Sequence, residues 1–251
     1  MDSLGGFLAL LQDLSSLEEP KLIEWSWISE NFGEDIAPAI IGHIYLSFVS
    51  VAIALAISLP TGILVARYRR AYPPVLFITG LLFTIPSLAL FAILVTVPGI
   101  GIGPNAVIIA LVAYSLLVLI RNVVAGLDSV PAETKDAARG MGLTSRQILF
   151  KVELPLALPV IVAGIRIATV TVIGIATIGA YIAGGGLGQL IFDGIDRLFP
   201  TMIITGAVLA TALAILADVL LIWLERLLSP WKRSRASTRA QPEASGAVGA
   251  L

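Results

Sequence analysis

Residues 136–155 read DAARGMGLTSRQILFKVELP, from Asp136 to Pro155, a polar, helix-forming stretch between two long apolar segments. Pro131, just upstream, suits a first helical position. Glu133 and Asp136 lie where acids favour the positive end of a helix dipole, and Ala132, Ala137 and Ala138 favour helix. Gly140 and Gly142 then interrupt it. Thr144 follows, with Gln147 three residues on, the spacing of a capping box that opens a second short helix. Ile148, Leu149, Phe150 and Val152 give that helix an apolar face, and Leu154-Pro155 is expected to close it and open the next apolar run. The stretch reads helix, glycine elbow, helix. Its small alanines would let another surface approach closely; a surface loop without a partner is the alternative the residues leave open.

The rest of the chain sets this loop in a membrane. Of 251 residues, 57% are hydrophobic and 13% charged, with a mean hydropathy of +0.96; soluble domains carry about 25% charged residues. A bilayer core of about 30 Å needs roughly 20 apolar residues in a helix. Five segments qualify, at about 40–66, 75–97, 106–120 (extending towards Leu127), 156–182 and 201–224. The expected fold class is all-α, a polytopic membrane protein of about five transmembrane helices. Pro60 and Pro86 would kink the first two spans, and VPGIGIGPN from Val97 to Asn105 reads as a tight turn.

Basic residues set the sidedness. Thirteen Lys and Arg follow the first span, fill the loop after the third, or follow the fifth; only Lys21 and Arg197 lie on the other side. The positive-inside rule then puts the N-terminus outside and the C-terminus in the cytoplasm. Residues 1–38 read as an extracytoplasmic or interfacial segment, with Phe7, Leu8, Leu10, Leu11 and Leu14 on one helical face and Trp25 and Trp27 at interfacial depth. Residues 39–229 form the transmembrane domain, with the loop at 131–155. Residues 230–251 read as a disordered cytoplasmic tail.

Several chemistries are excluded. There is no cysteine, and one histidine, His43, cannot build a histidine metal site. The net charge of -1 gives no basic surplus for nucleic acid. No G-x-x-x-x-G-K-[ST] sequence is present, so the chain is not expected to hydrolyse ATP or to be an enzyme.

Charges inside spans need partners. Arg166, in the fourth span, is expected to pair with Asp218 in the fifth or to face an interface. Glu225, seven residues beyond Asp218 on the same face, is expected only to be solvated. Gly164, Ala168, Gly174 and Gly179 make the fourth span small-faced, for a second subunit or for packing within the chain. Gly184, Gly185, Gly186 and Gly188 suggest a flexible outer segment, a re-entrant turn or a docking surface.

The loop resembles the EAA motif of ABC importer permeases: Glu-Ala-Ala, three residues, Gly, nine residues, Ile, one residue, Leu-Pro. Asp136-Ala137-Ala138, Gly142, Val152 and Leu154-Pro155 match every spacing, with Asp for Glu and Val for Ile. IPSLALFAIL (Ile85 to Leu94), YSLLVLIRNVVAGLDSV (Tyr114 to Val130), LPLALPVIVAGIRIATV (Leu154 to Val170) and IAGGGLGQLIFDGI (Ile182 to Ile195) are similar to the glycine betaine, carnitine and choline permeases. That resemblance implies a type I importer permease of the bacterial inner (plasma) membrane, importing quaternary ammonium osmoprotectants. It implies as partners a cytoplasmic ABC ATPase dimer, which holds ATP and Mg, a second permease copy or paralogue, and an extracytoplasmic substrate-binding protein. Residues Glu133 to Lys151 would be the coupling helices. No aromatic cage for such a cation is legible in the chain. An importer for an amino acid or another small solute, and a secondary transporter or channel subunit working without ATP, are the alternatives.

Overall fold

The computed structural model describes residues 22–228; the helix expected at Phe7 to Leu14 and the tail after Pro230 lie outside them. The described residues fold as helices. They are α1 (Trp25–Glu30), α2 (Ala37–Arg67), α3 (Tyr72–Thr84), α4 (Ser87–Thr96), α5 (Pro104–Asp128), α6 (Ala132–Gly140), α7 (Ser145–Ile148), α8 (Leu154–Gly179), α9 (Leu187–Asp196) and α10 (Pro200–Leu228). Four continuous helical stretches are long and apolar enough to cross a membrane: Phe32–Arg67, Pro104–Asp128, Ser145–Ile182 and Pro200–Leu228. The pair α3–α4 becomes a fifth if counted as one span, but it is bent by 95°.

That bend corrects the expectation of a merely kinked second span. Ile85 and Pro86 both leave the helical region, with ψ of 128° and 135°. Proline disfavours helix at the residue before it and has no N–H to donate. Backbone left open at membrane depth has to be buried in protein or line water. Here Tyr114 of α5 donates its hydroxyl to Ile85 O at 2.5 Å, and Phe83 meets the Tyr114 ring edge-on at 6.0 Å. Pro60, by contrast, stays inside α2.

The central element is α5. It packs against α2, α3, α4 and α8, and Val107, Ala110, Leu111, Leu119 and Val123 along it are fully enclosed. Close approach is made by small residues: a Cβ on Gly62 of α2 would come within 2.6 Å of Val123, and one on Gly126 of α5 within 3.0 Å of Ala157 O. On the other flank α10 packs on α8 and α9, yet only 6% of its apolar stretch is buried. A helix that apolar with so little covered belongs against lipid or another apolar surface.

Alternation of the long helices puts the C-terminal ends of α2, α5 and α10 with the start of α8 at one end of the bundle, the loop end. The turn at Val97–Gly103 and α9 lie at the other, the far end. Gly99, Gly101 and Gly103 all take positive φ, as a tight turn requires.

Candidate coupling loop

Local rules build the loop as the sequence suggests, with two adjustments. Pro131 is the extended residue before α6 rather than its first helical residue, a shift of one position. Glu133 lies in the first turn. The helix closes through Met141 N–H to Ala137 O (3.0 Å), Gly142 N–H to Arg139 O (2.9 Å) and Leu143 N–H to Ala138 O (3.2 Å). Gly142 has φ +82°, the left-handed conformation in which glycine alone is unstrained; Gly140 is simply the last helical residue. Thr144 then forms the capping box: its N–H donates to Gln147 Oε1 (2.8 Å) and Gln147 N–H donates to Thr144 Oγ1 (3.4 Å).

The second adjustment is a correction. Leu154-Pro155 does not close the second helix; α7 runs into α8 as one stretch from Ser145 to Ile182. A π-type turn at Leu149–Glu153 makes this work. Leu154 N–H reaches back five residues to Leu149 O, and Pro155 falls in the first turn of α8, where its missing N–H costs little. The loop's second half is therefore a rigid extension of a membrane helix.

Its residues divide by exposure. Glu133, Asp136, Ala137 and Gly142 are exposed, and Asp136 accepts from Arg139 Nη1 at 2.6 Å. Ala138 is 1% exposed, so one of the two alanines serves the loop's own packing rather than an approaching surface. Ile148 is buried, while Leu149, Val152, Leu154 and Pro155 are half-buried. Met141 and Phe150 point outward at 73% and 57% exposure, on an otherwise polar loop.

An ionic cluster that the sequence did not flag sits beneath it. Glu153, the unspecified residue of the motif between Val152 and Leu154, is 4% exposed. Its Oε2 accepts from Arg67 Nη2 at 2.8 Å, and its Oε1 lies 3.7 Å from Lys135 Nζ. Lys135 also donates to Leu127 O at 3.2 Å. Arg69 pairs with Asp128 at the end of α5. An acid immediately before an apolar run, with three arginines at the end of the first span, was the available signal.

Deeper in the bundle, Arg166 of α8 holds Asp218 of α10 through two bonds, Nε to Oδ1 (2.8 Å) and Nη2 to Oδ2 (3.1 Å). Such a fork is the strong geometry for this pair. Glu225 is not merely solvated: its carboxylate lies 3.9 Å from Arg166 Nη1 and is 16% exposed. Of the small residues on α8, Gly164 faces Asn122, Gly179 faces Val107 and Ala168 is 1% exposed, all inside this chain; Gly174 alone has open space before it.

The glycine run at the far end is a packed turn rather than a flexible segment. A Cβ on Gly184 would meet Val107 at 2.6 Å, and one on Gly188 would meet Thr177 O at 2.0 Å. His43, fully buried on α2, joins this turn: its Nδ1 accepts from Leu187 N–H (3.2 Å), which leaves Nε2–H to donate to Ile173 O (3.0 Å). Among the described residues no three His, Asp or Glu side chains gather as a metal would require.

A multi-pass helical bundle carrying a capped helix–elbow–helix at one end is the arrangement of a membrane transport component. The chain belongs to the family of binding-protein-dependent transport system inner membrane components, whose model matches residues 58–234. It is the permease component of an ABC importer. Among its relatives are the glycine betaine/carnitine/choline transport system permease protein OpuCD of Bacillus subtilis, 43% identical over 78% of this chain and 85% of that one, and the choline transport system permease protein OpuBD of the same organism, 40% identical over 85% and 91%. The osmoprotectant import permease protein OsmW of Salmonella typhimurium is 42% identical over 75% and 89%. Among solved structures, the MetNI methionine ABC transporter in an inward-facing conformation superposes with a TM-score of 0.68 at 28% identity, covering 76% of this chain and 94% of that one. These neighbours share the type I importer permease fold.

Proposed function

We propose that this chain is the permease through which an ATP-driven importer of the bacterial plasma membrane takes up quaternary ammonium osmoprotectants, such as glycine betaine, choline or carnitine. The observation that carries this reading is the loop at 131–155, on a chain whose relatives are named for those solutes. The N-terminus lies outside and the C-terminus in the cytoplasm, so the basic loop end faces the ATPase. Glu133, Asp136, Ala137 and Gly142, with Met141 and Phe150, form the surface that docks in a cleft of the ATPase dimer, which binds ATP and Mg. Because α7 continues into α8, a push on the loop becomes a tilt of a membrane helix. A second permease copy or paralogue covers the bare face of α10 or its neighbours, and an extracytoplasmic binding protein delivers the solute.

The test is uptake of labelled betaine, choline and carnitine into proteoliposomes holding the permease, its ATPase and its binding protein. ATP-dependent uptake is expected, with a loss of about ten-fold or more in Gly142→Val, since a β-branched residue is strained at φ +82°. Uptake driven by an ion gradient without the ATPase refutes the reading. ATP-driven uptake of methionine or another amino acid in place of these solutes discards the substrate class alone.

A further inference from the structure

We propose that Arg67, Glu153 and Lys135 form an ionic joint that carries displacement of the loop into α2. The proposal rests on the coupling function given above, and it assigns these three residues a positioning role in it.

Three observations support the joint. First, its topology: Lys135 belongs to α6, Glu153 to the turn that leads into α8, and Arg67 is the last residue of α2. The loop is joined covalently only to α5 and α8, so α2, remote in sequence, receives its motion through side chains. Arg67–Glu153 is an ion pair that links α2 directly to the loop, and Arg69–Asp128 ties the turn after α2 to the helix that enters the loop.

Second, its burial. The Glu153 side chain is 5% exposed, with its oxygens directed at two cations, while the Arg67 side chain keeps 40% of its surface. A carboxylate taken out of water needs such partners. Yet apolar residues of similar volume at such a place are commonly as stabilising or more so. Fold stability alone thus gives little reason for the cluster.

Third, where α2 leads. It packs along both α5 and α8, and at the far end His43 ties it to Ile173 of α8 and to Leu187 at the start of α9. A movement received at Arg67 is therefore delivered to the packed turn at the opposite end of the bundle. Packing lets α2 follow α5 and α8 along their length, and the joint adds a direct pull at its loop end.

The experiment uses the reconstituted transporter and reads the ratio of betaine taken up to ATP hydrolysed. Two variants are compared with the wild type. The triple variant Arg67→Met, Lys135→Met, Glu153→Leu replaces the cluster with apolar side chains, and Glu153→Gln removes one charge with little change of shape. Both are expected to lower the ratio roughly ten-fold, within the range of coupling between sites. The charge-swapped set Arg67→Glu, Lys135→Glu and Glu153→Arg is expected to recover more of it than Arg67→Glu with Lys135→Glu alone. A wild-type ratio in the triple variant overturns the joint. Should the triple variant fail to assemble, a wild-type ratio in Glu153→Gln overturns it, and a lowered one upholds it. A wild-type complex that hydrolyses ATP without importing defeats the functional reading, and the joint falls with it.

Discussion

At the loop end, α2 and the turn after it meet the π-type turn before α8 and the end of α5 through Arg67–Glu153 and Arg69–Asp128, and of these four side chains only Glu153 is shut away from water. At the far end, α2, α8 and α9 meet through a fully buried neutral imidazole and through glycines that leave no room for a methyl group. Long charged side chains can stay paired while the angle between two helices changes, so a pull on one helix is still felt by the other as the joint pivots. A glycine whose missing Cβ would lie 2.0 Å from a carbonyl oxygen leaves no such play. The comparison teaches where this bundle is built to give and where it is built to stay shut: the loop end is articulated and the far end is locked.

Gly188→Ala offers the strongest way to break this contrast. The added methyl would collide with Thr177 O at 2.0 Å and with Thr177 Cα at 2.8 Å, both backbone atoms, so helix α9 must move off α8. The expected loss is at least the upper part of the usual overpacking range, about 3 kcal/mol, seen as a lowered Tm or lost folded yield in detergent. Gly174→Ala is the control, on α8 with nothing within 4 Å; it is expected to be neutral or more stable by up to about 1 kcal/mol, because alanine is the better helix former. Equal losses in the two would erase the lock. Next in size is His43→Leu. It orphans the buried Leu187 N–H at the start of α9 and removes the second donor from Ile173 O, at a cost of about 1–3 kcal/mol, and amide exchange at Leu187 should quicken with it. Unchanged exchange there would show that the turn is held by its glycines alone.

How far the sequence carried the reader differs between these same regions. The loop was legible because its instructions are local: Thr144 and Gln147 are three residues apart, and Gly142 and Pro155 act on their own backbone. Even the missed continuity of α7 into α8 has a local cause, a π-type turn that lets Pro155 fall where no N–H is needed. The span count was legible from hydropathy, but the 95° break was not, since its open carbonyl is satisfied by Tyr114, 29 residues away. The pairing of Arg166 with Asp218 could be anticipated because a lone cation in an apolar helix demands an acid and few were available. Glu153 and His43 escaped for the opposite reason. Glu153 looks like one more charge in a polar loop, and His43 like an isolated polar residue. Their meaning comes from partners 86 and 130 residues distant. The glycine run looked flexible because composition does not tell an open loop from one pressed against Val107 and Thr177.

The smallest expected effect tests the articulated end. Thr144→Ala deletes the capping hydroxyl of α7, a cap worth about 1 kcal/mol in helices generally. The helix it caps has only four residues before the π-type turn, and Thr144 and Gln147 are both exposed. Opening that turn exposes little apolar surface, so the free energy should be lost from a local opening rather than from the bundle. Amide exchange at Gln147 is expected to rise by roughly five-fold, the equivalent of about 1 kcal/mol, while the global Tm stays near that of the wild type. A Tm loss as large as that of His43→Leu would mean that the loop and the far end unfold as one unit. The two ends would then differ in their chemistry but not in their freedom.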